Sequence, residues 1–174
     1  MSQQQVVDTR LVKQVHIDLP RDSRLILAWA LMTEGSIVVR VCHLKSSAYE
    51  GYIPVLSFTS TDYNLTAKVR ELAGCGYIYH VKVPKHPRER DTWRWSLHRA
   101  HEVLQILEQI YPFLIVKREQ ALLTMELCRL KIERGARGYN QFRHRRSTFY
   151  REQAIRNQVT TLNRAHKSWG AVMQ

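Results

Sequence analysis

Leu25-Ile26-Leu27-Ala28-Trp29-Ala30-Leu31-Met32-Thr33-Glu34-Gly35-Ser36-Ile37 is the stretch that decides the architecture. Eight apolar residues run unbroken from Leu25 to Met32, with Asp22 or Ser23 ahead of them as an N-cap. Gly35 follows as a left-handed helix stop. The pattern predicts a helix over 23–34 that spans only about 16 Å, too short to cross a bilayer. It is apolar nearly all round, so burial on more than one side is expected. Glu34 is the anomaly. In a last helical turn the dipole disfavours a carboxylate by roughly 0.3–1 kcal/mol, and a bound cation reverses that sign. The plain alternative is a solvated Glu beside a turn glycine.

Working outward, the chain carries 27 Lys and Arg against 15 Asp and Glu, a net charge of +12. That surplus points to a polyanion, most simply nucleic acid. A membrane surface fits less well, because no long basic amphipathic helix with an aromatic face is present. A length of 174 residues suits one domain of about 100–150 residues plus an extension. Cys42, Cys75 and Cys128 are odd in number and far apart, as expected of reduced thiols rather than a disulfide framework. With no signal peptide and no apolar run approaching about 18 residues, neither secretion nor a membrane span is expected. A cytoplasmic (nucleoid-associated) or organellar location is the expectation.

Residues 1–22 form an N-terminal arm without a functional reading. From Ser36 the periodicity turns to alternation: Ile37, Val39 and Val41 share one face, and Ser36, Val38, Arg40 and Cys42 the other. A loop leads to a returning strand over Tyr52–Thr59. Asp62 caps a helix to about Ala73 with a Leu65, Val69 and Leu72 stripe, and Gly74-Cys75-Gly76 ends it. Tyr77–Val83 and Thr92–Leu97 make a second strand pair, followed by a helix over about 99–110. Pro112 interrupts, and a further helix is expected over about 114–133, with Leu122, Leu123, Met125, Leu127 and Leu130 for packing. The order α-ββ-α-ββ-α-α, with strands in adjacent pairs, predicts an α+β fold: an antiparallel sheet with helices on one face. Over residues 134–174 nine Lys or Arg face the single acid Glu152, and Tyr150–Arg164 reads as a short basic helix that could order only on DNA. The expected division is an arm over 1–22, a core over 23–134 and a basic extension over 135–174.

Leu27-Ala28-Trp29-Ala30-Leu31-Met32-Thr33-Glu34-Gly35, continuing Ser36-Ile37, resembles the LAGLIDADG motif of homing endonucleases. Trp29 stands in place of a glycine and Met32 in place of the first acid. Three further stretches resemble family features: Ser57–Asp62 before the second helix, Gly74-Cys75-Gly76-Tyr77-Ile78 entering the third strand, and Tyr111–Ala121 at the proline-containing helix junction. Together they span about residues 20–134.

The resemblance implies a LAGLIDADG homing-endonuclease fold with a saddle-shaped DNA-binding sheet. It further implies a sequence-specific, intron-encoded nuclease that makes a double-strand break in a long, near-palindromic DNA site. A single motif implies a homodimer through the helix 23–34, with Trp29 facing either its own core or the partner. It also implies Glu34 as the ligand of Mg²⁺ (or Mn²⁺ as a substitute), and the Thr33 carbonyl is a plausible second ligand because it is an orphan acceptor at the helix end. Arg99 (His98 or His101 if the register slips) and Ser60 or Thr61 are the further catalytic residues implied by match. Base reading by the sheet face opposite the helices assigns Val38, Arg40, Tyr77, Tyr79 and Arg94 to double-stranded DNA, with Trp93 and Trp95 inward. Lys45, Lys82, Lys85, Arg88 and Arg90, in or beside turns, suit phosphates. The rival expectation is a non-cleaving nucleic-acid-binding protein on the same fold: an intron maturase acting on RNA, or a DNA-binding regulator.

Overall fold

The computed structural model describes residues 16–43, 50–82, 90–136 and 145–172. In chain order these form α1 (Arg21–Thr33), β1 (Gly35–His43), β2 (Glu50–Ser60), α2 (Tyr63–Ala73), β3 (Tyr77–Val81) and β4 (Thr92–Leu97). They continue with α3 (Ala100–Ile110), a 3₁₀ turn (Tyr111–Phe113), α4 (Arg118–Ala136) and α5 (Arg145–Val172). The four strands make one antiparallel sheet in the order β1-β2-β4-β3, so β2 and β4 are internal. This is the α+β class that the paired strands predict.

Strand parity divides the sheet. Ile37, Leu56, Phe58, Trp95 and Leu97 point inward and are buried with Leu27 and Leu31 of α1 and with Val103, Ile106, Leu107 and Ile110 of α3. A second, smaller core joins Val39 and Tyr52 to Leu127 of α4 and to Ile155 and Val159 of α5. Trp93 packs edge-on against Tyr63 of α2, with ring centroids 4.8 Å apart. Trp95 is fully buried and its indole N–H donates to the Cys75 carbonyl at 2.8 Å. Both indoles thus lie on the inward face.

Several local expectations are corrected. Helix α1 begins at Arg21 with Pro20 in the N-cap position and no side-chain cap, so neither Asp22 nor Ser23 fills that role. Gly35 is not left-handed. Glu34 takes the C-cap in the right-handed region (φ −96°, ψ −4°), and Gly35 opens β1 where a Cβ would lie 2.5 Å from the Leu31 Cα. In α2, Asp62 does cap the helix, accepting from the Asn64 N–H at 2.7 Å. The buried stripe is Thr66, Val69 and Ala73, while Leu65 is exposed. Thr66 can be buried because its hydroxyl donates to the Asp62 carbonyl. Strand β3 ends at Val81 rather than Val83.

The last two helices differ most from expectation. A 3₁₀ turn and a left-handed Lys117 (φ 63°) delay α4 to Arg118, and Leu122 faces out. Helix α5 is longer than the basic segment foreseen, and it packs on α4 and β1. Arg151 clamps the Glu126 carboxylate at 2.6 and 2.7 Å, and the Asn163 amide donates to the Ile37 carbonyl at 3.0 Å. Arg134 reaches Glu152 at 2.8 Å, with the Glu152 side chain only 2% exposed. Burial also holds the nearby Lys131 ammonium below its ordinary range, and Glu152 opposes that shift. The thiols of Cys75 and Cys128 are pushed up to about 12 by burial, which leaves them poor nucleophiles.

Glu152 is the buried member of this pair and also the counter-charge of the half-buried Lys131. Glu152→Ala is therefore expected to lower stability by about 3 kcal/mol, read as a lower urea midpoint in equilibrium unfolding.

Candidate active site and nucleic-acid interface

The turn between α1 and β1 is built around a cation. Lys117 Nζ donates to the carbonyls of Leu31 at 2.6 Å, Gly35 at 2.8 Å and Met32 at 3.0 Å. Leu31 and Met32 supply end-of-helix acceptors, where the dipole favours positive charge, and Gly35 opens β1. Burial lowers the Lys117 pKa, and the nearby Glu34 carboxylate pulls it back up. Glu34 itself is exposed. Of the carbonyls in this turn Lys117 takes those flanking Thr33 and Glu34 and not that of Thr33. The Thr33 hydroxyl turns back along the helix to the Trp29 carbonyl at 3.1 Å. Met32, in place of an acid, accepts from the Ile115 N–H through its sulfur at 3.1 Å, and so helps dock the chain that carries Lys117.

Among the described residues no group of three or more His, Cys, Asp or Glu could hold a metal ion. The turn offers one carboxylate and one helix-end carbonyl per chain. That donor set suits Mg²⁺, which takes one or two carboxylates and fills its other positions with water and phosphate oxygens.

Sequence reasoning passed over Lys117 even though the helix-junction stretch contains it. No local signal marked it: Leu114, Ile115 and Val116 separate it from the Pro112 turn, and the carbonyls it meets lie more than eighty residues away. Arg99, the residue proposed by match, is the N-cap of α3 and fully solvent-facing. Its guanidinium donates to Glu102 at 3.1 Å and to the Tyr77 hydroxyl at 3.3 Å, and Glu102 raises its pKa. His98 stacks on Tyr77 with centroids 5.9 Å apart, and His101 is exposed on the first turn of α3. Ser60 shares the inward parity of Trp93, and its hydroxyl accepts from the Asp62 N–H at 3.0 Å. Thr61 lies exposed in the same turn.

The outward sheet face carries Val38 and Arg40 of β1, Arg94 of β4, and Tyr77 and Tyr79 of β3. Thr59, also passed over, is the last outward residue of β2 and accepts from Arg94 Nε at 3.0 Å. Between these larger side chains Val55, Ser57 and Ser96 form a buried floor. Lys82 follows β3 and Arg90 precedes β4, both exposed. Lys45, Lys85 and Arg88 lie outside the described residues. On α1 an apolar strip stays uncovered: Leu25, Ile26 and Trp29 are 43%, 48% and 61% exposed. Trp29 does not face its own core; Ala28 and Ala30 do.

This arrangement, an antiparallel sheet with helices on one face only, is the fold of solved LAGLIDADG homing endonucleases. I-CvuI, solved with its target, is similar over 81% of this chain and 83% of its own, at 16% identity and a TM-score of 0.63. The archaeal intron-encoded homing endonuclease I-Vdi141I, solved with DNA, is similar over 81% and 84%, at 17% identity and 0.62. The LAGLIDADG homing endonuclease I-SmaMI, bound to cleaved DNA, is similar over 76% of this chain and 42% of its own, at 14% identity and 0.59. No protein-family model and no curated protein matches the sequence.

Replacing Lys117 with Met keeps the stem and removes the ammonium from the three carbonyls of the α1–β1 turn. The expected outcome is a loss of roughly 1–3 kcal/mol, the desolvation cost of buried polar groups left unmade, read in urea titrations against wild type.

Proposed function

We propose that the protein is a metal-dependent, sequence-specific DNA endonuclease that works as a homodimer. The observation that carries this is Glu34: an exposed carboxylate at the negative end of α1, beside the seated Lys117 ammonium and on the helix that also bears the uncovered Trp29 strip. Structural neighbours solved with DNA support a DNA partner, and two of them solved with Mg or Ca support a divalent ion.

In this reading Glu34 and the Thr33 carbonyl would hold Mg²⁺, with Mn²⁺ as a substitute, and such an ion would supply Lewis-acid stabilisation of a phosphate and of the water that attacks it. Lys117 keeps the turn in shape and supplies positive charge toward the phosphate. Arg99 and Ser60 are the further catalytic residues of this reading, each held by neighbours, Arg99 by Glu102 and Tyr77 and Ser60 by the Asp62 N–H. Val38, Arg40, Tyr77, Tyr79 and Arg94 face the major groove, and Lys45, Lys82, Lys85, Arg88 and Arg90 the phosphates. One carboxylate per chain cuts one strand, so a double-strand break takes two chains, joined through Leu25, Ile26 and Trp29. Residues 135–174 act as a basic extension of the 23–134 core, behind an arm over 1–22. An intron-borne gene and a cytoplasmic or organellar site belong to the same reading. No described helix is long and apolar enough to cross a membrane.

Cleavage of duplexes selected for binding tests the proposal. Wild type with Mg²⁺ is expected to cut both strands, and Glu34→Gln to bind with little loss and cut at least about a hundredfold more slowly, the scale of a lost transition-state electrostatic contact. Tight binding without nicking by wild type instead establishes the maturase or regulator reading, which the replacement of an acid by Met32 favours. Gel filtration reads assembly: Trp29→Glu is expected to shift a dimer to monomer. Because burial lowers the Lys117 pKa, its charge is lost at a lower pH than for an ordinary lysine. Cleavage is therefore expected to fall on the alkaline side, and Lys117→Arg, which stays charged, to move that fall upward.

A further inference from the structure

Arg94 stands apart from the other basic residues of the outward face. It lies on β4, an internal strand, opposite Thr59 on one side and Tyr79 on the other. The side chain is half-buried, and its Nε is already committed to the Thr59 hydroxyl at 3.0 Å. No Asp or Glu lies among the outward-facing residues of the described strands, so this face gives the guanidinium no internal counter-charge. A hydroxyl on Nε leaves the two terminal nitrogens as a paired donor edge, held in one orientation before any ligand arrives.

We propose that Arg94, held by Thr59, reads a guanine in each half of the DNA site, with Thr59 as its positioning residue. This rests on the DNA-cutting reading above. A paired donor edge fits the two acceptors of guanine, N7 and O6, and meets a donor on adenine, where one of its N–H groups has no partner. The central strand matters to the choice. Phosphates flank a groove and are met by residues at sheet edges and turns, while the middle of a sheet laid in the major groove faces base edges. The row also lies beside the active turn: Gly35 pairs with Phe58 and Phe58 with Trp95, so Glu34 is level with Thr59 and Arg94. The guanine therefore sits toward the cut, inside the bases that Arg40 reaches.

Full-length protein tests this with a pool of random-sequence duplexes, followed by anisotropy titrations on the selected consensus and its single-base variants. Wild type is expected to select a symmetric pair of guanines, with guanine-to-adenine changes there costing about tenfold or more in affinity. Arg94→Ala should bind the consensus and its guanine-to-adenine variants equally, at about the affinity wild type shows for those variants, with the other positions of the consensus unchanged. Thr59→Val should weaken the preference and Thr59→Ser, which restores the hydroxyl, should recover it. A uniform loss on all sequences with a shallower salt slope in Arg94→Ala marks a phosphate contact and overturns the proposal. An unchanged preference in Thr59→Val overturns the positioning role. A wild-type consensus with no Arg94-dependent position overturns this assignment and leaves the nuclease reading standing; no consensus at all overturns both.

Discussion

Three backbone carbonyls of the α1–β1 turn, those of Leu31, Met32 and Gly35, converge on one point, and the Lys117 ammonium fills it. Charge-assisted hydrogen bonds contribute roughly 1.5–3 kcal/mol each. Against them stand the partial burial of the ammonium and a left-handed backbone at Lys117, φ 63°, which costs on the order of 1 kcal/mol. The bonds win. The contact joins positions more than eighty residues apart, so it fixes the helix junction to the α1–β1 turn. It also makes that turn a tolerable place for Glu34, since the dipole that repels a carboxylate is partly cancelled by the ammonium beside it.

The sheet then sorts residues by parity. Inward positions need bulk to fill the space under α1 and α3, which is why Phe58, Trp95 and Leu97 are there. Outward positions in the middle carry short side chains, Ser57 and Ser96 among them, and this leaves Arg94 and the two tyrosines standing above a low floor. The basic surplus is thus not spread evenly. On the strands it is concentrated in a few cations on a face without acids.

Much of this was legible in sequence because it is local. The apolar run Leu25–Met32, the Asp62 cap and the Gly74 stop each act within a few residues, and each lies where expected. Lys117 was not legible, since its partners are distant in sequence and its backbone conformation carries no residue signature in a lysine. Leu65 and Leu122 misled because hydrophobicity alone cannot say which side of a helix has a neighbour; Thr66 took the buried place by satisfying its own hydroxyl. The packing of α5 was hidden by its own chemistry. Its inner line runs Phe149, Glu152, Ile155, Val159, and an acid in that line breaks the apolar pattern unless Arg134 is known to meet it.

The two halves of the proposed dimer follow from one helix. Trp29 and Glu34 are five positions apart on α1 and its cap, about 7.5 Å along a helix axis. A two-fold contact centred on Trp29 would therefore carry both acids past the crossing point by the same short distance. Moving the apolar strip a turn toward Arg21 would separate the acids from the dyad by a further pitch of about 5.4 Å. Burying Trp29 inward would remove the reason for the helices to meet. On the proposed reading, the exposure of that one indole is what would let a single acidic position suffice: the chain would build half a site, and the uncovered strip of α1 would be the surface that completes it.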